Sequence, residues 1–154
     1  MTIKVTKPEI NLREKLNELD FDKVMPSAYI ACSTANTGTF TGLFSGWTLN
    51  VYSENMTMVD GRFATCVVPG IYYFVFNSIT GNDTAGYEMQ WVKNSGAFVQ
   101  DNGRSYSNVS GHDMFSVQQV FRLAVGDTVA LRASSTGYVY GGGHGFMRGF
   151  KVGD

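Results

Sequence analysis

Few residues of this 154-residue chain have types and spacings suited to chemistry. His112-Asp113 lies near Ser107 and Ser110, the residue types of a base, its orienting carboxylate and a nucleophile. Such a triad also needs an oxyanion hole and a sharply presented hydroxyl. No nucleophile elbow is present, and Ser110-Gly111-His112-Asp113 reads as a loop. Cys32, Cys66, His112 and His144 could be imagined as four zinc ligands, but their spacings match no zinc motif and both cysteines sit in strand-like surroundings. They read as reduced, buried thiols. Gly141-Gly142-Gly143-His144-Gly145 lacks the Lys-Ser/Thr ending of a phosphate loop, and a strand pattern follows it in place of a helix. It reads as a flexible hairpin loop. Asp60, Asp83, Asp101 and Asp127 offer hard oxygens for calcium, yet all four stand at turn signals, where Asp is an ordinary residue. Tyr138 and Tyr140, beside the glycine loop and His144, would share one strand face and could form a sugar-binding platform. The same i, i+2 spacing describes ordinary sheet packing, which is the preferred reading. The expectation is therefore no catalytic centre, no cofactor and no metal.

Composition narrows what can hold such residues in place. Charged residues make up 16% of the chain and apolar residues 44%, with 18 glycines, 3 prolines and a net charge of −1. Long amphipathic helices need more charge and less glycine, so an all-helical bundle is disfavoured. High apolar content at low net charge excludes a disordered chain. A free nucleic-acid binder would carry a basic excess. No apolar run approaches the ~18 residues of a membrane span. The opening residues MTIKVTKP hold no signal core, so folding in a cytosol is expected.

The chain divides near Pro26. Residues 1–25 contain Lys4, Lys7, Lys15, Lys23, Glu9, Glu14 and Glu18 and no glycine, whereas every Trp and Tyr follows that point. Pro8 suits the first position of a helix, Glu9 its first turn, and Leu12, Leu16 and Leu19 form one narrow apolar stripe that Pro26 ends. A helix of about 12 residues is marginal alone. It must pack on its own domain, on a sister copy or on another protein; docking is preferred.

Residues 26–154 read as strands. Tyr29–Cys32, Trp47–Tyr52, Arg62–Val67, Ile71–Phe76, Glu88–Val92, Phe115–Leu123, Thr128–Ala133 and Phe146–Val152 are rich in β-branched and aromatic residues, with Gly, Asn, Asp and Pro clusters between them. Short strands at this spacing predict an antiparallel sandwich. Ile71-Tyr72-Tyr73-Phe74-Val75-Phe76 is apolar on both faces. With Tyr72, Phe74 and Phe76 in the core, Ile71, Tyr73 and Val75 project outward. Leaving them wet would expose an apolar patch, and burying each is worth roughly 1.5–3 kcal/mol. The outer face is expected to meet another subunit, the alternative being a cover of loops or the N-terminal arm.

Several passages resemble one family. Asp60-Gly61-Arg62-Phe63 through Val68-Pro69-Gly70-Ile71-Tyr72-Tyr73-Phe74 is similar to the "G-x-F-x-x-P-x-x-G-x-Y-x-F" passage of C1q-like domains. Leu123-Ala124-Val125-Gly126-Asp127-Thr128-Val129-Ala130-Leu131 resembles their "L-x-x-G-D-x-V-x-L" hairpin. Met147-Arg148-Gly149-Phe150 resembles the closing "F-x-G-F" strand, with Met147 in place of Phe, and Trp91-Val92-Lys93-Asn94 the "V-x-K-N-G" turn, with Ser95 inserted before Gly96. The resemblance implies a ten-stranded jelly roll of the C1q and tumour-necrosis-factor type, assembled as a homotrimer. Some C1q-like domains also hold calcium. Lys7-Pro8-Glu9-Ile10-Asn11-Leu12-Arg13-Glu14-Lys15-Leu16 resembles the opening of virion structural proteins of tailed phages, cyanophages in particular. There it implies an arm that anchors interchangeable outer domains to the particle.

Together these readings predict an all-β jelly-roll domain over 26–154 and a short helical arm over 1–25. They predict a non-enzymatic phage virion protein, assembled in the host cytoplasm. Three copies would bury Ile71, Tyr73, Val75 and Met147 along a three-fold axis. Ile10, Leu12, Leu16 and Leu19 would dock the arm onto the major capsid protein or another virion protein. Capsid decoration, as a cement protein, is the first expectation. The alternative is a receptor-binding head or tail fibre tip that takes host surface glycans at Tyr138, Tyr140 and His144. A bacterial adhesion or signalling module ranks third. No nucleic-acid partner and no membrane insertion are expected.

Overall fold

The computed structural model describes residues 27–35, 38–80, 87–97, 104–107 and 113–154. The arm expected over 1–25, with Ile10, Leu12, Leu16 and Leu19, lies outside the described residues, as do Asp83, Asp101, Ser110 and His112.

Eleven strands run in chain order: β1 (Tyr29–Thr34), β2 (Gly38–Leu43), β3 (Trp47–Glu54), β4 (Met56–Val59), β5 (Phe63–Cys66), β6 (Gly70–Thr80), β7 (Tyr87–Lys93), β8 (Arg104–Ser107), β9 (Asp113–Leu123), β10 (Thr128–Val139) and β11 (Phe146–Gly153). They form two antiparallel sheets, β3-β1-β11-β6-β9 and β4-β5-β10-β7-β8, with β2 also paired to β10. The all-β sandwich expected from the turn spacing is present. Three strands were not legible: β2, β4 and β8 are short or glycine-bearing, and β2 pairs with β10, about 90 positions away in sequence. Asn55 separates β3 from β4 by taking a left-handed φ of 51°, a conformation that Asn tolerates better than most residues.

Alternation along the strands places the core between the sheets. In β6, Tyr72, Phe74 and Phe76 are fully buried, and Trp47, Trp91, Leu131 and Met147 join them. The Trp47 ring stacks on Trp91 at 6.4 Å and meets Phe44 edge-on at 4.6 Å. The Trp91 indole N–H donates to the Val117 carbonyl at 3.2 Å, so this ring is buried with its polar atom satisfied. Gly149 makes room for this packing, since a Cβ there would fall on the Phe74 ring. Cys32 and Cys66 are both free thiols in the core. Burial pushes the Cys32 thiol up to about 12.

Candidate functional site

The outer face of the β3-β1-β11-β6-β9 sheet carries the side chains that the core does not use. Cross-strand partners project to the same side, so the register maps this face in rows. Val120, Tyr73, Phe150, Tyr29 and Glu54 form one row across all five strands. Gln118, Val75, Arg148, Ala31 and Tyr52 form the next. Tyr73 and Phe150 approach at 5.5 Å between ring centroids, and the Tyr73 hydroxyl donates to Gln118 Oε1 at 2.6 Å. Ile71, Tyr73 and Val75 are half-buried by these neighbours. Tyr52, Val120 and Met114 remain 65%, 54% and 83% exposed. The Arg148 guanidinium lies over the Phe146 ring at 5.5 Å. A groove of about 330 Å³ runs between Tyr52, Ala31, Phe146 and Arg148. Aromatic and aliphatic side chains make up most of this face, with Glu54, Gln118 and Arg148 among them.

Met147 is a correction. Expected on the outer face, it is 1% exposed inside the sandwich. It pairs with Phe76 on one side and Cys32 on the other, both core residues, so the strand phase turns it inward. Phe146, Arg148 and Phe150 take the outer positions of β11 instead. Sequence reasoning missed those positions along with Tyr29, Tyr52, Val120 and Met114. The alternation of Gly149 and Met147 with Phe146, Arg148 and Phe150 leaves both phases of β11 open in the sequence, and the pairing decides between them.

At one end of the sandwich Tyr138, Tyr140 and His144 come together. The tyrosine rings meet edge-on at 5.4 Å, and Tyr140 lies 6.3 Å from the His144 ring. Val139 between them is buried, which leaves Tyr138 and Tyr140 half-buried on the other side. Hydrogen bonds join the glycine loop, expected as a flexible hairpin, to Thr34 at the end of β1. Thr34 Oγ1 donates to the Tyr140 carbonyl at 2.6 Å and accepts from the Gly145 N–H at 3.1 Å. The Gly143 N–H donates to the Thr34 carbonyl at 3.1 Å. Gly142 and Gly143 hold φ of 65° and 88°, which L side chains rarely adopt. The aromatic cluster therefore sits on backbone that is hydrogen-bonded to β1.

The opposite end is tied by Asp127. Its Oδ1 accepts from Asn94 Nδ2 at 2.7 Å, and its Oδ2 accepts from the Ala124 N–H at 2.7 Å and lies 2.6 Å from Lys93 Nζ. Asn94 Oδ1 in turn accepts from the Thr128 N–H at 2.8 Å. The Lys93 ammonium, the Asn94 amide and the Ala124 N–H hold the Asp127 carboxyl at about 2. Both oxygens of this candidate calcium ligand are thus engaged by donors. Among the described residues no group of three or more His, Cys, Asp or Glu is placed to hold a metal ion.

A family model for the C1q domain matches residues 27–150. No curated protein matches the chain in sequence. Among solved structures, Eiger TNF from S. frugiperda aligns with a TM-score of 0.61 at 11% identity, covering 84% of this chain and 95% of that one. Murine APRIL aligns with a TM-score of 0.61 at 13% identity, covering 81% of this chain and 98% of that one. At these identities the likeness is one of fold.

Proposed function

The chain belongs to the C1q domain family, and from that premise we propose that it is a self-assembling structural protein of a phage particle. Three copies pack the outer faces of their β3-β1-β11-β6-β9 sheets around a three-fold axis. The assembly serves as capsid decoration, docked by the N-terminal arm to the major capsid protein or another virion protein. It carries no catalytic activity.

The observation that carries this reading is the outer face itself. Tyr29, Tyr73, Val75, Val120 and Phe150 lie in adjoining positions across four strands. Contiguous apolar surface of this kind marks an association site. The resemblance of Lys7–Leu16 to phage virion openings supports the location. Light scattering of the full chain tests the assembly and is expected to give three times the chain mass; a stable monomer at micromolar concentration overturns it. Deleting residues 1–25 is expected to abolish attachment to particles while the trimer persists. Attachment that survives the deletion overturns the docking role.

The Tyr138, Tyr140 and His144 cluster favours a second reading, a receptor-binding tip of a head or tail fibre. Flat aromatic faces with polar edges suit sugars. Glycan-array binding by the full chain, lost in Tyr140→Ala, would favour this reading over decoration.

A further inference from the structure

We propose that Glu54 of one copy and Arg122 of the next form the ion pair that closes the ring of subunits. The inference rests on the assembly of outer faces described above and names the residues by which one copy recognises its neighbour.

Three faces turned inward around an axis meet at their edges, where each copy sets one edge of its sheet against the opposite edge of the next. Cyclic assembly joins unlike surfaces in this way. The edges of this sheet are β3 and β9. A rotation about an axis along the strands leaves the height of every residue unchanged, so residues at one level on the two edges are brought together. The register gives those levels. Glu54 and Val120 end the same row, through Tyr29, Phe150 and Tyr73. Arg122 is the next outward position on β9, paired with Ile71. That is about 7 Å along the strand, within the combined reach of an arginine and a glutamate side chain.

Charge singles out this pair. Glu54 and Arg122 are both exposed, and among the described residues no ion pair engages either. The other cations near that edge are taken: Lys93 is held by Asp127 and Lys151 by Asp154. Arg148 stands in mid-sheet over the Phe146 ring, away from both edges. Opposite charges on opposite edges favour the unlike-edge contact of a ring and disfavour like-edge pairing, which would set Glu54 against Glu54.

Sedimentation equilibrium of the full chain tests the proposal. Glu54→Arg and Arg122→Glu are each expected to raise the monomer–trimer midpoint concentration by about tenfold or more. The double reversal Glu54→Arg/Arg122→Glu is expected to return it to near the wild-type value. Circular dichroism and thermal melts of the isolated monomers control for folding. A double variant no better than the worse single variant overturns the pair. So does recovery of Glu54→Arg by Arg148→Glu in place of Arg122→Glu, because that assigns the carboxylate another partner. A wild-type chain that is itself monomeric overturns the assembly of outer faces and this pair together, whereas a trimeric wild type with no charge complementation overturns the pair alone.

Discussion

Replacing Asp127 with alanine removes three hydrogen-bonded contacts from one end of the sandwich. The carboxylate joins the turn after β9 to the turn after β7 through Asn94, Lys93 and the Ala124 N–H. Those donors lower its pKa from 3.8 to about 2. At about 1.4 kcal/mol per tenfold, the difference corresponds to about 2 kcal/mol of stability. The Lys93 side chain is 37% exposed, and solvent screening trims the figure to between about 1 and 2 kcal/mol. Because the folded carboxyl is the more acidic, this contribution is complete above about pH 4 and is lost as pH falls through about 2. Urea unfolding followed by Trp47 and Trp91 fluorescence, at one fixed protein concentration, measures it. At pH 7 the alanine variant should be less stable by that amount, and at pH 2 most of the difference should be gone. An equal difference at both pH values would refute the ionic origin. No difference at pH 7 would refute the structural role of the turn.

Gly149→Ala places a methyl group on the Phe74 ring and should cost about 1–3 kcal/mol by overpacking, read as a lower urea midpoint. Val75→Glu puts a charge in the centre of the outer face. It should dissociate the assembly while the monomer keeps its far-UV circular dichroism; a variant that stays trimeric would count against burial of Val75. Cys32, buried and with its thiol pushed up to about 12, should resist alkylation at pH 8 in the folded chain and react only on unfolding. Prompt labelling would show that β1 opens.

The amino-acid sequence by itself determined the class of fold and the doubly apolar character of one strand. Period-two runs of aromatic and β-branched residues separated by Gly, Asn and Asp turns admit a sandwich and little else. The doubly apolar run from Ile71 to Phe76 marked β6 as a strand with apolar side chains on both faces, of which the structure buries Tyr72, Phe74 and Phe76 in the core and leaves Ile71, Tyr73 and Val75 half-buried outside it. The short strands β2, β4 and β8 were illegible because their local preferences are weak, and for β2 because its partner β10 is remote in the chain. Met147 shows the same limit more sharply. A strand near the end of the chain can be read in either phase, and only its pairing with Cys32 and Phe76 turns Met147 inward and Phe146, Arg148 and Phe150 outward. The breadth of the outer face likewise belongs to the tertiary structure. Tyr29, Tyr73, Val120 and Phe150 are separated by up to 121 positions in sequence and become one surface through hydrogen-bond register between strands distant along the chain.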